Sequence, residues 1–276
     1  MPLGPALVAR EQRAVPERRA AAGSGVWVSN IPMAENYTYR DIAGMIDHSL
    51  VNPVLTTEEL EAGIGVALAF QTATVCILPH YLPRCVELLA GSRVGPGTTV
   101  GFPHGSQTTG AKLAEAEEAI RAGAVELDMV ANISRARSGD WVYLAREIRE
   151  LAQAAHAGGA KLKVIFENCY LDTGTKIRLC EICAEAGADW VKTSTGFGAG
   201  GATMEDLALM RRHCPPSVGV KAAGGIRSLD ALLEARALGV SRIGATRTVT
   251  MLSECRQRLG LEPIQAEAGA APTGAY

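Results

Sequence analysis

The chain has 276 residues, 47% of them hydrophobic and 20% charged, with a formal net charge of −2. That near-neutral balance, with no Lys/Arg stripe, gives nucleic acid no electrostatic footprint, and no apolar run approaches the roughly 18 residues that cross a bilayer. Seven cysteines (76, 85, 169, 180, 183, 214 and 255) lack framework spacing, which predicts reduced thiols and a cytoplasmic protein.

Residues 1–36 are rich in Ala, Arg, Pro and Gly without periodicity. They read as a disordered extension, since Glu11 and Glu17 are wrong for a transit peptide. A short helix from Tyr39 precedes a first strand over Met45–Ser49. Thr57 is read as the cap of the next helix, with Glu58, Glu59 and Glu61 in its first turn. Strands follow over Ala73–Leu78, Thr98–Phe102, Val125–Val130, Leu162–Glu167, Asp189–Lys192, Val218–Ala222 and Arg242–Ala245. The helices between them fall at 111–122, 140–156, 175–186, 204–212 and 229–237, and a last one spans 248–258. Gly123, Gly187 and Gly239 each stand just before a strand, where glycine ends a helix in a left-handed conformation. Eight β/α units over 37–262 predict a closed (β/α)8 TIM barrel with a short preceding helix, and a flexible tail over 263–276. An open doubly wound sheet is the rival, but no G-x-G-x-x-G follows the first strand. Cys180-x-x-Cys183 lies in a helical pattern with no second pair and no nearby histidine, so it reads as core rather than as a metal site.

Only six of the 27 basic residues are lysines, and Lys192 and Lys221 lie in apolar strands where a solvated charge is out of place. Strand parity sorts their neighbours. Val125, Leu127 and Met129 share one face, and Glu126 and Asp128 the other. Lys163 and Glu167 oppose Leu162, Val164 and Phe166. Turning the apolar faces to the helices leaves Glu126, Asp128, Lys163, Glu167, Lys192 and Lys221 in the lumen, with Asp47 and Cys76 as additions. So many buried charges must pair. Lys163, Glu126 and Glu167 lie deeper and are read as mutual ion pairs. Asp128, Lys192 and Lys221 lie near the C-terminal strand ends, where barrels of this kind carry chemistry.

Two lysines on adjacent strands repel, which lowers the pKa of one of them. A drop from ~10.4 to ~7 would raise the neutral fraction at pH 7 about a thousandfold. A neutral amine in a dry site forms Schiff bases with carbonyls, and a neighbouring carboxylate moves the protons. For a substrate phosphate, the Gly224-Gly225 turn and the Gly244-Ala245-Thr246-Arg247 segment follow strands seven and eight, a usual phosphate position in this fold. A plain turn and an ordinary surface pair for Arg247 are the alternatives.

Ile46-Asp47-His48, Gly101-Phe102-Pro103, Glu126-Leu127-Asp128-Met129-Val130, Lys192-Thr193-Ser194-Thr195-Gly196 and Val220-Lys221-Ala222-Ala223-Gly224-Gly225 stand in this order. Together they resemble the deoxyribose-phosphate aldolase family. The resemblance spans about Asp41 to Leu259. It implies a barrel without cofactor or metal that reversibly cleaves 2-deoxyribose 5-phosphate to acetaldehyde and glyceraldehyde 3-phosphate. It assigns Lys192 to the Schiff base, Lys221 to tuning it and Asp128 to acid/base work through a water. Asp47 and Cys76 take lesser site roles, and Thr193, Thr195, Gly196, Gly224, Gly225, Gly244, Thr246 and Arg247 surround the substrate. Some members carry a C-terminal tyrosine that transfers protons, a role that would fall here to Tyr276. Some carry a lysine where this chain has Phe197, and many carry paired small hydroxyl residues where it has Thr246-Arg247, so non-phosphorylated aldehydes stay in view. A Schiff-base aldolase for another aldehyde and a barrel that binds sugar phosphate without turnover are the rival functions. Partners are small sugar phosphates and aldehydes, with neither nucleic acid nor membrane. A homodimer would follow from any apolar helix face left exposed.

Overall fold

The computed structural model describes residues 37–264. The expected N-terminal extension, most of the expected tail and Tyr276 lie outside the described residues. A five-residue helix α1 (Tyr39–Ala43) leads into eight strands: β1 (Ile46–Leu50), β2 (Thr74–Ile77), β3 (Gly95–Val100), β4 (Glu126–Val130), β5 (Lys161–Ile165), β6 (Trp190–Lys192), β7 (Gly219–Ala223) and β8 (Arg242–Ala245). Every strand is parallel to its neighbours, and β8 pairs with β1, so the sheet closes in sequence order. Between and after the strands run α2 (Thr57–Phe70), α3 (Leu82–Leu89), α4 (Thr109–Arg121), α5 (Ile133–Arg137), α6 (Trp141–Ala157), α7 (Thr173–Ala186), α8 (Met204–His213), α9 (Leu229–Ala237) and α10 (Thr248–Arg258). The architecture is the expected (β/α)8 TIM barrel with its short preceding helix.

Local chemistry explains the element ends. Thr38 with Asp41 and Thr56 with Glu59 form reciprocal capping boxes at α1 and α2. The cap of α2 is therefore Thr56, one residue before the expected Thr57, because Glu59 stands three residues beyond it. Gly123, Gly187 and Gly239 all have positive φ, as their places before β4, β6 and β8 require. Helix α5 carries too few turns to show a period, yet Asn132 caps it through the Arg135 N–H. Strand β3 begins at Gly95 rather than Thr98, through a Gly-Pro-Gly stretch that reads as a turn. Gly97 lies opposite Glu126 in the register, and a Cβ there would stand 3.1 Å from the Glu126 carbonyl oxygen. The strand needs glycine at that point for room.

The apolar core lies between sheet and helices. Leu127, Met129, Leu162, Val164, Val191, Val220 and Ile243 are fully buried on the helix-facing sides of their strands, as parity predicts. Cys180 and Cys183 are buried in this core, and none of the seven cysteines is disulfide-bonded. One charged pair also lies in that layer. Lys112 of α4 donates to Glu147 of α6 at 3.0 Å and to the Val130 carbonyl at 2.8 Å, and Glu147 accepts from the Asn132 N–H. Burial pushes the Lys112 amine down and the Glu147 carboxyl up. The pair ties two outer helices to the end of β4, and so holds the strand that carries Asp128.

Breaking a fully buried pair leaves one uncompensated charge, at about 3–5 kcal/mol, whereas removing both charges is far milder. Urea denaturation is expected to show Lys112→Met destabilised by about 3 kcal/mol and Lys112→Met/Glu147→Leu recovering most of that loss. Equal losses in the single and double variants would refute this account.

Candidate active site

The lumen gathers the side chains that parity places there. Asp128 of β4 lies beside Lys163 of β5 in the register, and Lys192 of β6 lies beside Lys221 of β7. The Lys192 Nζ and the Lys221 Nζ each donate to Asp128 Oδ2 at 2.7 Å. Lys221 also donates to Asp47 Oδ2 at 2.5 Å. Below them Lys163 contacts Glu126 at 2.5 Å, Asp128 Oδ1 at 2.9 Å and Asp47 at 3.0 Å. All of these residues are buried.

Lys163 thus pairs with Glu126, as the expected deep ion pairs have it. It also touches Asp128 directly, so the deep layer and the strand-end layer form one network. Glu167 does not join it. Strand β5 ends at Ile165, and Glu167 adopts φ 57° and ψ 62°, which turns its carboxylate away from Lys163 and toward Thr195. Alternation carries residue 167 into the lumen only along extended backbone, and the backbone there is left-handed.

Two lumen residues escaped the sequence reading. Arg242 donates to Asp47 at 2.6 Å and to both oxygens of Glu126 at 2.7 and 2.9 Å. Trp190 lies beneath the cations, with its ring centroid 5.0 Å from the Arg242 guanidinium carbon and 5.9 Å from the Lys163 Nζ. The signal was present, since Arg242 precedes Gly244 and Trp190 precedes Lys192 by two residues, which puts each pair on one face.

Three carboxylates (Asp47, Glu126, Asp128) therefore meet four basic groups (Lys163, Lys192, Lys221, Arg242). One cation is in surplus. Burial opposes the charge on Lys221, but Asp128 and Asp47 outweigh it and hold the amine above its usual range. The same contest favours charge on Lys163, through Asp128, Asp47 and Glu126. For Lys192, burial is the largest influence and Lys221 adds to it, and together they outweigh Asp128 and push the amine down. Lys192 is thus the surplus cation. Burial resists ionisation of Asp128 too, but the three lysines hold it well below the carboxylate range. Cys76 faces the same charges, and burial and then Asp128 push its thiol up to about 11. It is a neutral wall of the site.

The residues after β6 tie the site together. Thr193 Oγ1 accepts from the Ala223 N–H at 3.1 Å and donates to the Ala223 carbonyl at 3.2 Å, linking β6 to β7. Thr195 Oγ1 donates to Glu167 and accepts from the Phe197 N–H at 2.9 Å. The protein itself engages both hydroxyls. Gly196 has φ 92°. Phe197 stacks edge-on against Phe102, with centroids 5.4 Å apart, and stays partly exposed. Gly224 and Gly225 have φ 71° and 89°, and a Cβ on neighbouring Gly201 would stand 2.5 Å from the Gly224 carbonyl carbon. Gly244 leaves room for the Lys221 stem, since a Cβ there would lie 3.4 Å from its Cε. The ends of β7 and β8 are adjacent, with Ala223 beside Gly244, so Gly224-Gly225 and Thr246-Arg247 emerge side by side. Thr246 and Arg247 are exposed; the Arg247 carbonyl accepts from the Met251 N–H at 3.1 Å, and its guanidinium has no ion pair with a described residue. His48 is buried against Thr248 Oγ1 at 2.8 Å, and burial lowers its pKa to about 4, so it serves as a neutral structural group.

The charge pattern sets a pH response. Only a neutral Lys192 can attack a carbonyl, so its reactivity rises as pH passes its pKa. Lys221→Met removes the repelling charge and leaves the Asp128 Oδ2 to Lys192, which raises the pKa of Lys192. The pH profile for reductive trapping of acetaldehyde at Lys192 is therefore expected to move to higher pH in that variant. A profile that stays in place or moves down contradicts the assignment.

This geometry has relatives. A model of the DeoC/LacD aldolase family matches residues 39–248. The chain is 58% identical over 230 residues to a deoxyribose-phosphate aldolase of Rhodopirellula baltica, covering 83% of this chain and 95% of that one. It is 46% identical over 222 residues to a deoxyribose-phosphate aldolase of Caldanaerobacter subterraneus, covering 79% and 95%. Among solved structures, the tetrameric deoxyribose phosphate aldolase of Aeropyrum pernix aligns with a TM-score of 0.74 at 31% identity, over 80% of this chain and 93% of that one. A shared fold, sustained identity over nearly the full length of these relatives and the family match place the chain in one group: it belongs to the DeoC/LacD family of aldolases.

Proposed function

We propose that the chain is a class I aldolase, a lyase that reversibly cleaves 2-deoxy-D-ribose 5-phosphate to acetaldehyde and D-glyceraldehyde 3-phosphate in deoxyribose phosphate catabolism. The observation that carries the reading is the Asp128 carboxylate, whose single oxygen Oδ2 accepts from both Lys192 and Lys221 at 2.7 Å. A depressed lysine, a charged lysine and a shared carboxylate form a Schiff-base centre with its own proton relay.

The steps follow from those roles. The Lys192 Nζ attacks C1 of the open-chain sugar, and loss of water leaves an iminium. The Asp128 carboxylate, through a water, takes the proton of the C3 hydroxyl. The C2–C3 bond breaks, its electron pair enters the C1–C2 enamine, and glyceraldehyde 3-phosphate leaves as the aldehyde. The enamine then takes a proton at C2, and hydrolysis frees acetaldehyde and Lys192. Lys221 carries three N–H groups, two of them engaged with Asp47 and Asp128, so it holds Asp128 ionised and can return protons to the relay. The Gly224-Gly225 turn offers backbone N–H groups to the phosphate, and the exposed Arg247 follows the adjacent strand β8. Free thiols agree with a cytoplasmic setting. No helix among the described residues is long and apolar enough to cross a membrane. Val142 at 83% and Val54 at 76% exposure are the most exposed large apolar side chains among the described residues, the kind of surface that a homodimer would bury.

Borohydride trapping with deoxyribose 5-phosphate, followed by peptide mapping, is expected to place a reduced adduct on Lys192. Lys192→Ala should lose the adduct and lower kcat/KM by at least about three orders of magnitude. Substrate binding without any adduct would convert the site to a binding barrel. Turnover of 2-deoxyribose at the rate of its 5-phosphate would move the substrate class to non-phosphorylated sugars.

A further inference from the structure

The mechanism above leaves one buried acid without a task. Glu167 is 2% exposed and forms no ion pair with a described residue. It is one of two non-glycine residues with positive φ among the described residues, the other being Gln71 at a helix end. A left-handed backbone at a residue with a long side chain is unfavourable and persists where the surroundings demand it.

The surroundings here are the segment that follows Lys192. Strand β5 and its extension are bonded to that segment by the Phe166 N–H to the Lys192 carbonyl at 3.0 Å and the Asn168 N–H to the Thr193 carbonyl at 2.9 Å. The next rung is made by a side chain. The Thr195 N–H donates to the two Glu167 carboxylate oxygens at 3.2 and 3.3 Å, and the Thr195 hydroxyl donates to Oε2 as well. That hydroxyl in turn accepts from the Phe197 N–H at 2.9 Å. Gly198 closes over the carboxyl so tightly that a Cβ there would stand 2.9 Å from the Glu167 Cδ. The same loop continues to Gly201 and Ala202, and the Ala202 N–H donates to the Ala223 and Gly224 carbonyls at 3.1 and 2.9 Å. The carboxylate therefore extends the β5–β6 ladder beyond Lys192, and the loop it holds supports the Gly224-Gly225 turn.

We infer that Glu167 is a positioning residue, which latches the 195–202 loop through Thr195 and so fixes the side of the site that receives the phosphate-bearing half of the substrate. The inference rests on the function proposed above for the site. It separates Glu167 from the lysine chemistry. Loss of the latch loosens the loop, weakens capture of the sugar phosphate and leaves Lys192 competent to meet a small aldehyde.

The test uses Glu167→Gln and Thr195→Val in the full chain. In Glu167→Gln, kcat/KM for deoxyribose 5-phosphate should fall about 30-fold, with most of the change in KM, while reductive trapping of acetaldehyde at Lys192 stays within about threefold. Thr195→Val should likewise raise KM for deoxyribose 5-phosphate, and the double variant should be no worse than the worse single one, because both loosen the same Glu167–Thr195 contact. Hydrogen exchange at the Thr195 and Phe197 amides should quicken in Glu167→Gln, a readout independent of substrate. Parallel loss of acetaldehyde trapping would overturn the inference in favour of a direct action on Lys192. Unchanged kinetics, or unchanged exchange, would overturn it outright. If Glu167→Gln does not fold, Thr195→Val decides alone, since it keeps the backbone rung and the carboxylate. Wild-type protein without activity on deoxyribose 5-phosphate would instead sink the function reading, and exchange would still judge the latch.

Discussion

The constraint on which this molecule turns is the charge balance of a dry barrel. Three carboxylates and four basic groups share one lumen, and a buried network of that kind tolerates no unpaired ion. The partners are unequally shared. Lys163 reaches three carboxylates and Lys221 two, whereas Lys192 reaches Asp128 alone. The lysine with the fewest partners loses its proton most readily. The depressed pKa of Lys192 therefore arises from arithmetic among the deep residues, not from a special property of that lysine.

The barrel makes that inequality possible. Period-two alternation sends the apolar side chains to the helices and the charged ones inward, and parallel pairing sets Asp128 beside Lys163 and Lys192 beside Lys221. Arg242 then locks Asp47 and Glu126 from below, over the face of Trp190. Such a network contributes little to stability by itself. The burial of the helix-facing aliphatic layer offsets its desolvation, at roughly 25 cal/mol for each Å² removed from water. Stability and chemistry thus occupy opposite faces of the same strands, and the unfavourable backbone at Glu167 lies where the strand gives way to the loop.

Sequence and structure contributed differently to these conclusions. Periodicity, caps and the glycines at 123, 187 and 239 were enough for eight β/α units and a closed barrel, because each is a local preference that tertiary contacts reinforced. Parity was enough to bring Asp47, Glu126, Asp128, Lys163, Lys192 and Lys221 to one lumen. It would also have supplied Arg242 and Trp190 had it been carried through the last two short strands. The Gly-Pro-Gly start of β3 and the five-residue α5 were invisible for the opposite reason, since their local signals are those of turns or too short to carry a period.

Residue pairing was beyond the sequence. Which carboxylate meets which lysine depends on strand register and stagger around a closed sheet, and no local pattern encodes either. The place of Glu167 is the sharpest instance. Its alternation said lumen, but one left-handed residue after Ile165 redirects its carboxylate to Thr195. The sequence by itself determined the barrel and the chemical inventory of its interior, because alternation and composition act residue by residue. The tertiary structure alone decided which amine is held below its usual range and that the Glu167 carboxylate meets Thr195, because those outcomes depend on distances between residues brought together from different strands.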